Sequence, residues 1–179
     1  HRAKDDGGET IIGDRCYLMG SSHVGHDCRI GAEVVLANGA LVAGHVEVGD
    51  NAFISGNCAI HQFVRIGRRA MIRGLTAVGK DVVPFVIVDQ TNTVRSLNKI
   101  GLRRTDFAPE IVRQLHQAFR TVFRRDRPLF ACIEELKSRP MCAEVREMVE
   151  FIEASKRGIC VGHSTAVRRL PEIAEQGGE

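Results

Sequence analysis

From Ile12 to Val83 the sequence keeps a single six-residue register through twelve consecutive blocks. Every block opens on an aliphatic residue: Ile12, Leu18, Val24, Ile30, Leu36, Val42, Val48, Ile54, Ile60, Ile66, Ile72 and Val78. The fifth place is always small or β-branched, from Cys16 and Ser22 through to Thr76 and Val82. Glycine takes half of the second places, including Gly13, Gly25, Gly31, Gly49, Gly67 and Gly79. A strict period of six is neither helical nor a simple strand alternation. It is the signature of a parallel β-helix, whose stacked coils bury thin aliphatic layers. Aromatic residues make up only 5% of the chain, as such layers require.

The rest of the chain divides around this solenoid. Residues 1–84 are expected to form the β-helix, after a polar lead-in over residues 1–11. Pro84 cannot donate a ladder hydrogen bond and is expected to end the regular ladder. Residues 85–105 then connect, with a hairpin-like or looped crossing around Asp89 to Thr93. From Asp106 the period becomes helical, with Ile111, Leu115, Ala118, Val122 and Phe123 on one face. Asp106 with Pro109 marks the first helix start. A second helix is expected from Pro128 to about Lys137, capped by Asp126. A third runs from Ala143 to Lys156, with Gly158 able to end it. These make a helical domain over residues 106–158 and leave a tail over 159–179. The expected fold is therefore mainly β, a parallel β-helix followed by a small C-terminal α-helical domain.

Composition removes several classes of function. The net charge of +3 does not argue for nucleic acid, and no aromatic platform accompanies the arginines. No apolar run is long enough to span a bilayer, and the polar N-terminus is not a signal peptide. Of six cysteines, Cys16, Cys28 and Cys58 fall at the small fifth place, as core residues do. Free thiols in a core point to a reducing compartment, the cytoplasm.

If three blocks make one coil, residues eighteen apart stack at roughly 4.8 Å. His26, Gly44, Gln62 and Lys80 then share a column, beside a second column of Asp27, His45, Phe63 and Asp81. Histidines gathered on one strip of wall make a candidate site. Their spacing does not match the His-x-x-x-x-His pairs of zinc-binding solenoids, so no metal is expected there. General-base chemistry fits better: a carboxylate beside an imidazole fixes its tautomer and stabilises the imidazolium. Adjacent residues on a strand point to opposite faces, so His26 and Asp27 pair only if a coil corner turns them together.

Three stretches resemble a known family. They are His23-Val-Gly-His-Asp-Cys28, Leu36-Ala-Asn-Gly-Ala-Leu-Val-Ala-Gly-His45 and Ala59-Ile-His-Gln-Phe63. Together with Asn98-x-x-Gly101-Leu-Arg-Arg104, they are similar to the UDP-N-acetylglucosamine O-acyltransferases. Those enzymes take the first step of lipid A synthesis. The resemblance implies a left-handed β-helix and a homotrimer with active sites between subunits. It also implies transfer of a (3R)-hydroxyacyl group from acyl carrier protein to the sugar 3-hydroxyl of UDP-N-acetylglucosamine. In that scheme His26 is the general base, Asp27 orients it, and the Gly44 N–H is the oxyanion donor. His23, His45, His61 and Gln62 match substrate contacts. Asn98 and Arg104 match nucleotide positions, and Gly74 matches the residue that limits acyl-chain length. The scheme needs no cofactor. Arg65, Arg68, Arg69, Arg73, Arg103, Arg104, Arg120, Arg124, Arg125 and Arg127 would dock the acidic carrier protein.

The chain departs from the family's pattern in three ways. It begins inside that pattern, without the N-terminal coils. Ile100 stands where an acidic residue is common. The segment Arg104-Thr-Asp-Phe107 replaces an Arg-Arg-Gly-Phe run. The remaining alternatives are a related acyltransferase with another acceptor and a non-catalytic or metal-binding β-helix.

Overall fold

A computed structural model describes residues 1–4, 7–123 and 127–162. Each six-residue block contributes one two-residue strand, and the strands stack into three parallel walls. The first wall is β1 (Ile11–Ile12), β4 (Arg29–Ile30), β7 (Glu47–Val48) and β10 (Arg65–Ile66). The second begins with β2 (Tyr17–Leu18), β5 (Val35–Leu36), β8 (Phe53–Ile54) and β11 (Met71–Ile72). The third is β3 (His23–Val24), β6 (Leu41–Val42), β9 (Ala59–Ile60) and β12 (Ala77–Val78). Partners such as Ile12 and Ile30, or Val24 and Val42, lie eighteen residues apart, so three blocks do make a coil.

The opening aliphatic of each block points inward. From Ile30 to Val78 these side chains are at most 3% exposed. At the N-terminal end Ile12 and Leu18 remain about two-fifths exposed, at 42% and 43%, because only one coil lies against them. The fourth place of each block turns the corner with a positive φ, from Arg15 to Leu75. Such a conformation costs a non-glycine residue on the order of 1 kcal/mol. The coil next to it compensates with backbone bonds such as His45 N–H to the His26 carbonyl, 2.9 Å. Second-place glycines serve a different need. A Cβ on Gly25 would sit 2.5 Å from the Ala43 carbonyl carbon, closer than two coils can stack.

Pro84 ends the six-residue period but not the ladder. The Val82 N–H bonds to the Arg65 carbonyl and the Phe85 N–H to the Arg68 carbonyl, so Pro84 falls between two ladder bonds where no donor is needed. The last coil is two residues shorter: Val82 bridges Ile66 and Ile87 faces Met71. Strand β13 (Val86–Val88) thus extends the second wall, and β14 (Thr93–Leu97) returns antiparallel to it as a hairpin.

A short helix α1 (Lys99–Arg103) follows, capped by the Asn98 side chain. Helix α2 (Pro109–Val122) has Ala108 at its cap and the expected Pro109 in its first turn, with Asp106 just upstream. Proline forces its predecessor into extended backbone and is itself suited to the first helical position. Helix α3 (Leu129–Lys137) has Pro128 at its cap, and the expected cap Asp126 lies outside the described residues. Helix α4 (Ala143–Glu153) stops before Lys156, and Gly158 makes the following turn instead, with φ +73°. The three longer helices share a core of Leu115, Ala118, Val122, Leu136, Val145, Met148 and Ile152.

The chain then comes back to the solenoid. Strand β15 (Val161–Gly162) pairs parallel with β14 at the far end of the second wall. Asp81, 1% exposed, fastens this return. Its carboxylate accepts from the Arg65 N–H and from Ser155 Oγ, at 2.9 and 2.8 Å. Its N–H donates to the Gly158 carbonyl, and its carbonyl accepts from Cys160 N–H. Residues 163–179, most of the expected tail, lie outside the described residues. Among the described residues no helix is long and apolar enough to cross a membrane.

Candidate active site

The corner between the third and first walls gathers the histidine strip. Asp27, His45 and Phe63 occupy successive turns of this corner, each with φ near +60°. That backbone swings Asp27 beside His26, and His26 Nδ1 lies 2.8 Å from Asp27 Oδ2. The corner therefore produces the pair that a straight strand forbids. Asp27 is further fixed by Thr10 Oγ1, which accepts its backbone N–H at 2.9 Å, and by the Lys4 N–H, which reaches Oδ2 at 3.1 Å. The hydrogen bond from His26, and after it the bond from Lys4, holds the Asp27 carboxyl below the ordinary carboxylate range. A deprotonated Asp27 accepting at Nδ1 leaves the lone pair of a neutral His26 on Nε2.

Gly44 lies directly under that ring. A Cβ at position 44 would fall 2.5 Å from His26 Nε2 and 2.6 Å from Cε1. The Gly44 N–H donates to no oxygen of the described residues, because the ladder skips the third place at this corner: His45 N–H bonds back to the His26 carbonyl of the preceding coil instead. A base nitrogen and an unspent backbone donor thus meet over a residue without a side chain.

His45 packs edge-on against His26, with ring centroids 4.9 Å apart, and stacks on Phe63 at 4.6 Å. A cavity of about 770 Å³ opens beside it, lined by His45, Glu47, Phe63, Arg65, Asp81, Ala154, Lys156 and Arg157. His61, one coil further, has Nδ1 3.0 Å from the Gln62 carbonyl and 3.3 Å from Arg157 Nη2. His23 lies one block before His26 and packs its ring against His1 at 4.7 Å. Gln62 sits exposed in the column of His26 and Gly44.

Within one chain the remaining expected residues stand on other edges of the prism. Asn98 lies against the corner of Arg69, donating to its carbonyl at 2.8 Å while accepting from Gly101 N–H at 3.0 Å. The oxygen of its amide caps α1 and the nitrogen ties that cap to the solenoid. Arg104 closes the same helix with its side chain exposed. Gly74 is at the corner between the second and third walls, where a Cβ would meet the Gly56 carbonyl oxygen only at 3.4 Å.

The arginine set expected to face an acidic partner is partly spent inside the chain. Arg68 pairs with Glu147, Arg73 with Asp89 and Arg127 with Glu135. Arg65 lies over the Phe151 ring. Arg69, Arg103, Arg104 and Arg120 form no ion pair with another described residue; Arg124 and Arg125 lie outside the described residues. The donor atoms of His26, Asp27 and His45 lie within 4.8 Å of one another, a set with the chemistry to grip a transition-metal ion as well as a proton. Sequence reasoning missed Thr10, Ser155 and Arg157, which no local pattern marks.

Comparison with known proteins identifies relatives over most of the chain. Residues 81–160 match the model of UDP N-acetylglucosamine O-acyltransferase, domain 2, and residues 9–44 that of the bacterial transferase hexapeptide. The acyl-[acyl-carrier-protein]–UDP-N-acetylglucosamine O-acyltransferase of Campylobacter concisus is 42% identical over 153 residues, 85% of this chain and 58% of the relative. That of Synechocystis is 46% identical over 137 residues, 76% of this chain and 50% of the relative. The solved UDP-N-acetylglucosamine acyltransferase of Campylobacter jejuni superposes with a TM-score of 0.82 at 39% identity, over 88% of this chain and 63% of that one. The Arabidopsis enzyme superposes at 0.79 and 35%, covering 88% and 59%. The chain thus spans between half and about three-fifths of the curated relatives it matches, from 50% to 61%.

Proposed function

Over the stretch it shares with these relatives the chain belongs to the UDP-N-acetylglucosamine O-acyltransferases, and from that premise we propose that it is an O-acyltransferase. The acyl group, a (3R)-hydroxyacyl chain, comes as a thioester from acyl carrier protein and goes to the 3-hydroxyl of UDP-N-acetylglucosamine. One observation carries the reading: His26, paired with Asp27 at 2.8 Å, sits over Gly44.

The chemistry follows from those atoms. Nε2 of His26 takes the proton of the sugar hydroxyl as its oxygen attacks the thioester carbonyl. Asp27 balances the imidazolium that forms. The carbonyl oxygen becomes an oxyanion, and the Gly44 N–H donates to it; a donor of this kind contributes on the order of 10²-fold. Collapse breaks the carbon–sulfur bond, and the departing thiolate recovers the proton from His26. The free carrier thiol and the sugar ester leave. General-base help of this kind is worth roughly 10²- to 10⁴-fold.

His45, His61 and Gln62 line the same strip, His23 stands one block before it on β3, and all four serve as substrate contacts. Asn98, Arg104 and Gly74 stand on other edges of the chain, so for them to join the site it must form between copies. A homotrimer meets that need, and sedimentation of a stable folded monomer with full activity would exclude it. Arg69, Arg103, Arg104 and Arg120 remain for the carrier protein. A cytoplasmic location belongs to the same proposal, and the free thiols support it.

Replacing His26 by Ala tests the reading. Acyl transfer measured by mass spectrometry drops by at least about 10²-fold; undiminished turnover in a correctly folded assembly refutes it. The three-donor cluster supports a second reading, a metal site. Stoichiometric metal in purified protein, with transfer abolished by chelation, would favour that reading.

A further inference from the structure

We infer that Arg157 is a positioning residue that sets which ring nitrogen of His61 carries the proton. The Nδ1 atom of His61 has two neighbours, the Gln62 carbonyl at 3.0 Å and Arg157 Nη2 at 3.3 Å. A carbonyl only accepts and a guanidinium only donates. A neutral imidazole offers Nδ1 either as N–H or as lone pair, so the two contacts exclude each other.

Arg157 is held in place for this task. Its Nε and Nη2 both donate to the Gly79 carbonyl, at 3.2 and 3.1 Å. Its backbone belongs to the segment that Asp81 fastens through Ser155, Gly158 and Cys160. A hydrogen bond from a charged donor is roughly twice as strong as one between neutral groups. With Arg157 present, Nδ1 accepts and Nε2 bears the hydrogen. Without it, Nδ1–H turns to the Gln62 carbonyl and Nε2 becomes an acceptor. A residue 96 positions downstream thereby inverts the polarity that His61 presents. The consequence for catalysis rests on the acyl-transfer reading: an N–H at Nε2 holds an acceptor oxygen of the substrate.

The test is nitrogen NMR of the full-length protein with ¹⁵N-labelled histidine, the His61 signals being those lost in His61→Gln. The wild type is expected to show a bare Nδ1 and a protonated Nε2. Arg157→Met reverses the pattern and Arg157→Lys, which keeps a charged donor, preserves it. A wild-type Nδ1–H, or the same tautomer in wild type and Arg157→Met, overturns the inference. If Arg157→Met does not fold, the wild-type spectrum and the lysine variant decide. In kinetics, Arg157→Met raises KM about tenfold, one lost hydrogen bond, with kcat held within about threefold. The spectrum needs no substrate, so an inactive wild type counts against the acyl-transfer reading while the tautomer is still measured.

Discussion

His26 and Gly44, eighteen residues apart, compete for one volume: a Cβ on Gly44 would begin 2.5 Å from the Nε2 atom of His26. The ring is the movable partner, since the solenoid fixes both backbones. Gly44→Ala is therefore expected to push the imidazole away from its working position while the coils stay stacked. Turnover falls about 10²-fold, the contribution of a well-placed base. The melting temperature moves by only a few degrees, because the new methyl meets a side chain at a corner. Turnover within twofold of wild type would remove this contact from the mechanism.

The carboxyl of Asp27 titrates below its ordinary value of 3.8, chiefly because His26 Nδ1 donates to it and then because the Lys4 N–H does. The sign is fixed by that direction. A lowered folded-state value means the pair adds stability above the unfolded value and loses it as pH falls through the lower folded one. Carboxyl ¹³C NMR of the wild type should place the Asp27 midpoint under 3.8, and His26→Ala should return it most of the way. A midpoint that ignores the substitution would mean another group holds the carboxylate.

What was legible in the sequence follows from what is periodic. The inward residues Ile12 to Val78 repeat without fault, so the two-residue strands β1 to β12 could be read directly. Stacking in eighteens is an expectation conditional on three blocks per coil, which the strand register bears out. The left-handed corners could not, because glycine fills only one of them, at Gly39, while Asp27, His45 and Phe63 take the same conformation with side chains. The meeting of His26 with Asp27 depends on that hidden corner. The short last coil is hidden too, since Val82 keeps its place in the pattern while pairing two residues out of step with Ile66. The Arg157 contact joins residues far apart in sequence, and no local pattern records it.

The solenoid core is expected to be uneven along its axis. Ile54 is fully buried between coils, whereas Ile12, with a single coil against it, is 42% exposed. Ile54→Ala removes three methyl or methylene carbons from a packed layer and should cost ~2–5 kcal/mol. Ile12→Ala leaves no closed cavity and should cost under about 1 kcal/mol. Urea denaturation of the two variants measures the difference. Equal losses would mean that something covers the first coil in solution.

Cys160 gives an alkaline counterpart to Asp27. Burial against the solenoid end pushes its thiol up to about 12 from 9.0. The folded chain thus favours the protonated thiol, so the associated stability is intact below about 9 and is lost as pH rises toward about 12. Between those limits the unfolded chain ionises this group and the folded chain does not. Cys160→Ala shifts stability at every pH through lost packing, but it should also flatten the decline over that window. Denaturation midpoints of both proteins at a series of pH values give the comparison. The native thiol should also resist iodoacetamide at pH 8 and react once the chain unfolds, because the thiolate is the nucleophile. Rapid labelling in the folded state, or parallel stability curves for the two proteins, would show that residues 159–162 do not stay docked on the solenoid.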